Sequence, residues 1–84
     1  MGLTLFVSNS CPQAWAVRQV LQDYEVEHTL LNIDEDAAAH TTLRHLQKGQ
    51  QRVPTLLLND GSIFVEPSMP DLYKILNLEL DNWD

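Results

Sequence analysis

One residue in this chain can act as a strong nucleophile near neutral pH. Cys11 is the single cysteine, set in the stretch Ser8-Asn9-Ser10-Cys11-Pro12-Gln13-Ala14-Trp15. A short apolar run precedes it and a segment with helical spacing follows, so the thiol falls where a strand hands over to a helix. The first N–H groups of a helix have no partner within it, and the helix dipole adds partial positive charge there. Both favour thiolate over thiol, and the thiolate is the form that attacks disulfides. The opposing reading is an inert cysteine packed as a small hydrophobe. Its place at a strand end, just before Pro12, weighs against burial. No basic residue adjoins Cys11 and the nearest is Arg18, so the dipole must supply most of any activation unless the fold brings Arg52 close.

The other candidates for chemistry are weaker. Val53-Pro54 stands before an apolar run. It reads as an entry proline that donates nothing to a ladder, or as a cis proline that turns its neighbour's backbone toward a site. His28, His40 and His45 lack metal-ligand spacing with one another or with the cysteine; they read as surface residues and no metal site is expected. There is no Ser-His-Asp signature, no glycine loop to cradle phosphate and no paired-carboxylate motif. Trp15 lies off the apolar helix face and close to Cys11, where it would line a groove or stand partly exposed.

The elements that must position Cys11 follow from local pattern. Leu3-Thr4-Leu5-Phe6-Val7 is too short for a helix and reads as a buried strand. Pro12 suits a first helical turn. Val17, Val20, Leu21 and Tyr24 then share one helix face. Val26 to Asp34 reads as a second strand, with Leu30, Leu31 and Ile33 as its apolar residues. Acids before the alanine run at 37–39 suit a helix N-terminus; Ala39, Leu43 and Leu46 continue that helix, and Gly49 stands where it should stop. Residues 53–67 read as two strands around Asn59-Asp60-Gly61, strong hairpin chemistry. Ser68 with Asp71 resembles a capping box before a third helix carrying Met69, Leu72, Tyr73 and Leu76 on one face. The order βαβα then ββα implies a parallel pair with a crossover followed by antiparallel strands, in one mixed-sheet α/β domain.

Composition narrows the partners. Eighty-four residues make one small domain, which buries about 60% of its unfolded surface. With 5 Lys+Arg against 12 Asp+Glu, the formal charge is −7. So acidic a surface repels phosphate backbones and anionic headgroups, so neither nucleic acid nor membrane is expected as a partner. The N-terminal residues lack a basic leader and no run is long enough for a membrane span. A lone free cysteine suits a reducing compartment, and the cytoplasm is expected.

Cys11-Pro12 after the first strand, Val53-Pro54 before the third, and the stretch from Asn59 to Ser68 before the last helix occur together in this order. Together they resemble the glutaredoxin family of the thioredoxin fold. The likeness is nearest to the mycoredoxin-like glutaredoxins of bacteria, through DEDAAAH, RVPTLLLNDGS and EPSMPDLYKIL, and it spans about residues 3 to 77. The resemblance implies a glutaredoxin-type thioredoxin-like α/β fold, β-α-β-α-β-β-α around a four-stranded mixed sheet. Residues 1–77 would form the domain and 78–84 an acidic, loosely held tail, with Trp83 able to dock on the surface. By the same resemblance Cys11 matches the catalytic nucleophile, with Pro12 and Gln13 beside it at the cofactor. Pro54 matches the cis proline, and Val53 the residue whose backbone pairs with a bound thiol. Pro67 and Ser68, with Glu66, form the wall that would hold the thiol's carboxylate at a helix N-terminus. Arg52 lies where it could meet a second carboxylate.

The chain also departs from the family pattern. Ala14 occupies the position of the resolving cysteine of a Cys-x-x-Cys motif, and Ser8-Asn9-Ser10 replaces the lysine that often precedes the nucleophile. A monothiol route remains, in which Cys11 attacks mixed disulfides between client proteins and a small thiol and an external thiol resolves the adduct. Glutathione or mycothiol would then be a co-substrate, no tightly bound cofactor is expected, and a monomer suffices. Two alternatives stand beside this one: a redox-inactive thioredoxin-fold binding module, and a glutathione-dependent iron–sulfur cluster carrier, whose usual Cys-Gly-Phe-Ser motif Pro12-Gln13-Ala14 does not match. Cys-Pro-Gln-Ala also resembles the start of some glutathione transferases, which need an all-helical second domain.

Overall fold

The computed structural model describes residues 3–76; the acidic tail and Trp83 lie outside them. The elements run β1 Leu3–Val7, α1 Pro12–Asp23, β2 His28–Asn32, α2 Ala37–Leu46, β3 Thr55–Leu57, β4 Ile63–Val65 and α3 Met69–Ile75. The strands form one four-stranded sheet in the order β2-β1-β3-β4. β1 pairs parallel with β2 from Leu3↔His28 to Val7↔Asn32, and antiparallel with β3 from Thr4↔Leu57 to Phe6↔Thr55. β3 and β4 pair antiparallel across the hairpin. This is the mixed α/β sheet of the thioredoxin-like fold.

The alternation of side chains along β1 divides the core in two. Leu3, Leu5 and Val7 point to one face and pack with Ala14, Val17 and Leu21 of α1, Leu56 of β3 and Leu72 of α3. Phe6 points to the other face and packs with Ala39 and Leu43 of α2. Leu5, Phe6 and Val7 are each fully buried. The strand covered on both faces therefore carries a continuous apolar run, and its C-terminal end delivers the chain to Cys11.

Local chemistry sets the boundaries. Asp36 caps α2, its carboxylate accepting from the N–H groups of Ala38 and Ala39. The hydroxyl of Ser68 caps α3 by accepting from Asp71 N–H at 3.3 Å. Gly61, at φ 91°, makes the turn of the β3–β4 hairpin, a conformation a Cβ would oppose. β2 is shorter than the span Val26 to Asp34 that its apolar residues suggest. Val26 instead donates its N–H back to Leu21 of α1 at 2.8 Å, so the chain leaves the helix before it joins the sheet. Tyr24 shares a sequence face with Val17 and Leu21 but is 42% exposed. It sits at the C-cap of α1, its ring edge-on to Tyr73 at 5.7 Å.

Candidate functional site

Cys11 is the N-cap residue of α1, with extended backbone and Pro12 following it in the first turn. Its side chain does not cap its own helix. The half-buried thiol points across to the loop before β3, where Sγ donates to the carbonyl of Val53 at 3.5 Å. Side-chain bonds brace the loop that presents it. Trp15 folds back so that its indole Nε1 donates to Ser8 O at 2.9 Å, and Ser8 itself is buried. The Arg18 guanidinium lies over the indole, 5.7 Å from the ring centre, in a cation–π arrangement. On the other side, Asn9 N–H donates to the Asp34 carboxylate at 2.7 Å, and the Asn32 amide donates to the Asn9 side chain at 2.7 Å. Asn32 in turn accepts from Asp34 N–H at 2.9 Å. The loop before the thiol is thus bracketed by the indole of α1 and by the turn after β2.

The facing loop has its own clamp. The Val53–Pro54 peptide is cis. Gln47, the C-cap residue of α2, uses its side-chain amide on both edges of the segment: Oε1 accepts from Arg52 N–H at 3.0 Å, and Nε2 donates to Arg52 O at 3.1 Å and to Thr55 Oγ1 at 2.8 Å. Thr55 is fully buried and donates its hydroxyl to Arg52 O at 2.8 Å. A buried hydroxyl with both roles filled avoids the cost of an unsatisfied polar group. His40 adds a contact from α2 to the Gln51 side chain. Pro54 O accepts from Glu66 N–H at 2.7 Å, which ties the segment to the β4–α3 connection.

The fold therefore brings Cys11, Val53 and Pro54 together, with Arg52 and Glu66 on the adjoining rim. Arg52 reaches Glu66, Nη1 to Oε2 at 4.0 Å, rather than the thiol. Pro12 and Gln13 are exposed at the head of α1, and Ala14 is fully buried in the core behind them. Pro67 is buried. Ser68 is exposed, but its hydroxyl is committed to Asp71 N–H, and the Asp71 carboxylate already occupies the first turn of α3. That short helix is poorly disposed to hold a further anion. Sequence reasoning did not find Gln47 or the Asn9, Asn32 and Asp34 bracket. Asn and Asp clustered at strand ends are a composition signal for side-chain-to-backbone turns, but Gln47 has no local signature. Among the described residues no three His, Cys, Asp or Glu side chains gather as a metal site would. No helix there is long and apolar enough to cross a membrane.

A thiol at a helix head, facing the backbone of a cis-proline loop on a β2-β1-β3-β4 sheet, defines a thioredoxin-like protein with a single active-site sulfur. A family description, glutaredoxin, matches residues 3–63, and the chain belongs to the glutaredoxin family. Its function is accordingly of the thiol–disulfide oxidoreductase kind, in a family that typically uses glutathione and acts on protein substrates. Solved structures agree in fold. A mutant of the thioredoxin-like protein BC3987 superposes with a TM-score of 0.77 at 23% identity, covering 89% of this chain and 99% of that one. The glutaredoxin-like NrdH-redoxin from Escherichia coli gives 0.68 at 22% identity, with 94% and 96% covered. Wheat glutaredoxin gives 0.62 at 18% identity, with 93% and 72% covered. A search among curated proteins returned no match.

Proposed function

We propose that the protein is a monothiol oxidoreductase in which Cys11 removes a small thiol from modified client proteins. The Cys11 thiolate attacks the small-thiol sulfur of a client mixed disulfide. A sulfur–sulfur bond forms between Cys11 and the small thiol, the client–small-thiol bond breaks, and the client sulfur leaves as thiolate and takes up a proton. A second small-thiol molecule, as its thiolate, then attacks the adduct. It forms the small-molecule disulfide and releases Cys11. Overall, the client thiol is restored, one free small thiol is consumed, and its sulfur leaves joined to the first in the small-molecule disulfide.

The observation that carries this reading is the position of Cys11 Sγ, half-buried at the head of α1 and 3.5 Å from Val53 O. A sulfur there is open to attack from outside and lies beside a backbone carbonyl able to receive a donor of the incoming thiol. With Ala14 at the resolving position, the second step belongs to an external thiol. Glutathione is the family's typical partner. Mycothiol is the alternative supported by the likeness of DEDAAAH, RVPTLLLNDGS and EPSMPDLYKIL to mycoredoxin-like members. The protein acts as a monomer in the cytoplasm, with Pro12, Gln13, Arg52, Pro67 and Ser68 around the bound thiol.

The test is a client peptide carrying a mixed disulfide with each small thiol. Mass spectrometry should show the small thiol transferred to Cys11, then released on adding free thiol, and no transfer to Cys11→Ser. A Cys11 that is alkylated no faster in the folded protein than in the urea-unfolded chain, with no adduct formed, would sink the proposal.

A further inference from the structure

Glu66 occupies a backbone conformation that its residue type does not favour. Its φ is +51°, in the left-handed region, although it carries a Cβ and precedes Pro67. L-residues are disfavoured there, and a following proline pushes its predecessor toward extended backbone. The bond from Glu66 N–H to Pro54 O at 2.7 Å holds the residue in place. An observed outlier next to a reactive centre points to a use for the side chain that sits on it. Here that side chain is a carboxylate, and it lies 4.0 Å from Arg52, the cation next to Val53. At exposures of 61% and 44%, such a pair contributes little to stability. Its effect is on charge: it neutralises the basic group that an anionic ligand at Val53 would meet. Behind Glu66 a groove of about 440 Å³ is bordered by Asp71 and Lys74, whose charges offset each other. The chain as a whole adds a formal −7.

We propose that Glu66, fixed between Pro54 and Pro67 and paired with Arg52, biases the Cys11 site toward small thiols that carry no net negative charge. The inference rests on the thiol-transfer reading above and narrows its co-substrate. Glutathione, with two carboxylates and one ammonium group, would be the disfavoured partner. A thiol of similar size without net charge would be favoured.

The experiment varies charge on one skeleton. Glutathione, its monoethyl ester and its diethyl ester carry net charges running from negative through neutral to positive. Each is used to release the Cys11 adduct in the wild-type protein, in Glu66→Gln, in Arg52→Gln and in Asp23→Asn, which removes a carboxylate at the far end of α1. The wild type should be released faster by the neutral ester than by glutathione. Glu66→Gln should raise the glutathione-to-ester rate ratio about threefold, the effect of one unit charge about 6 Å away in a water-like medium. Arg52→Gln should lower that ratio, and Asp23→Asn should leave it unchanged. Added salt should shrink the differences. A wild type that uses glutathione at least as fast as the neutral ester, or a ratio unmoved by Glu66→Gln, overturns the inference while leaving thiol transfer intact. Failure of all three thiols to release or form the adduct overturns the transfer reading itself, and the inference with it.

Discussion

The thiol of Cys11 and the carbonyl of Val53, 42 residues apart in sequence, meet at 3.5 Å. The sulfur donates across the site and does not cap its own helix. Two loops thus share one contact, and what braces each loop sets where the sulfur stands. Arg52, Val53 and Pro54 are braced from α2, a helix that contributes no side chain to the thiol.

Gln47 is the residue through which α2 acts. Gln47→Ala removes three hydrogen bonds to Arg52 and Thr55. We expect a loss of about 1–3 kcal/mol, because the buried Thr55 hydroxyl loses the donor it accepts from and Arg52 N–H loses its acceptor. Urea unfolding should show a lower midpoint with an unchanged slope. The small-thiol adduct should also form more slowly on Cys11. A variant equal to wild type in both would show that the clamp is incidental.

Glu66→Gly tests the backbone separately from the charge. Glycine adopts positive φ without a Cβ penalty but loses more freedom on folding. The net expectation is a gain of up to about 1 kcal/mol in thermal stability, together with the glutathione preference expected of Glu66→Gln. A destabilised Glu66→Gly would mean that the Glu66 side chain contributes packing or pairing that outweighs its strain.

Ala14→Cys restores a second sulfur three positions after the first. Ala14 is fully buried in the α1 core, and cysteine is the smallest sulfur-bearing replacement. The cost of the added volume should stay below about 1.5 kcal/mol. On oxidation the variant should lose two hydrogens by mass, and its small-thiol adduct should resolve without added thiol. An adduct as long-lived as in the wild type would show that the burial of position 14 keeps the two sulfurs apart.

The β3–β4 turn has a pH signature. The backbone N–H of Ser62, 2.9 Å from Asp60 Oδ1, holds the Asp60 carboxyl below its ordinary value. A lowered folded value stabilises the protein above the unfolded aspartate value of about 3.9. That contribution is lost as pH falls through the folded value. Asp60→Asn should therefore melt below wild type near neutral pH, and the two melting temperatures should converge in acid. A gap that is constant with pH would assign the loss to shape alone.

Much of this could be read along the chain. The apolar run from Leu3 to Val7, the helix face of Val17 and Leu21, the acids before the alanine run and the Ser68 cap are local patterns, and each corresponds to a local structure. Cys11, Val53 and Pro54 were legible because their motifs carry a family likeness. The Gln47 clamp and the Asn9–Asp34 bracket were not. The bracket joins Asn9 to Asp34, 25 residues away, and the clamp joins Gln47 to Arg52 and Thr55, five and eight residues on, spacings that no helix or strand period marks. The left-handed backbone of Glu66 was hidden for another reason: a residue before proline is expected to be extended. Tyr24 fell on the right helix face but at its end, as the C-cap residue, and is exposed there.

The strand order has a consequence for biosynthesis. β1 lies between β2 and β3, so its antiparallel partner arrives only after two helices and a strand have been made. Closing so long a loop is entropically slow compared with forming the β1–α1–β2 unit. On the ribosome, Cys11 leaves the exit tunnel well before Val53 does. Through that interval the nascent chain carries Cys11 without the Val53 carbonyl that faces its sulfur in the folded protein.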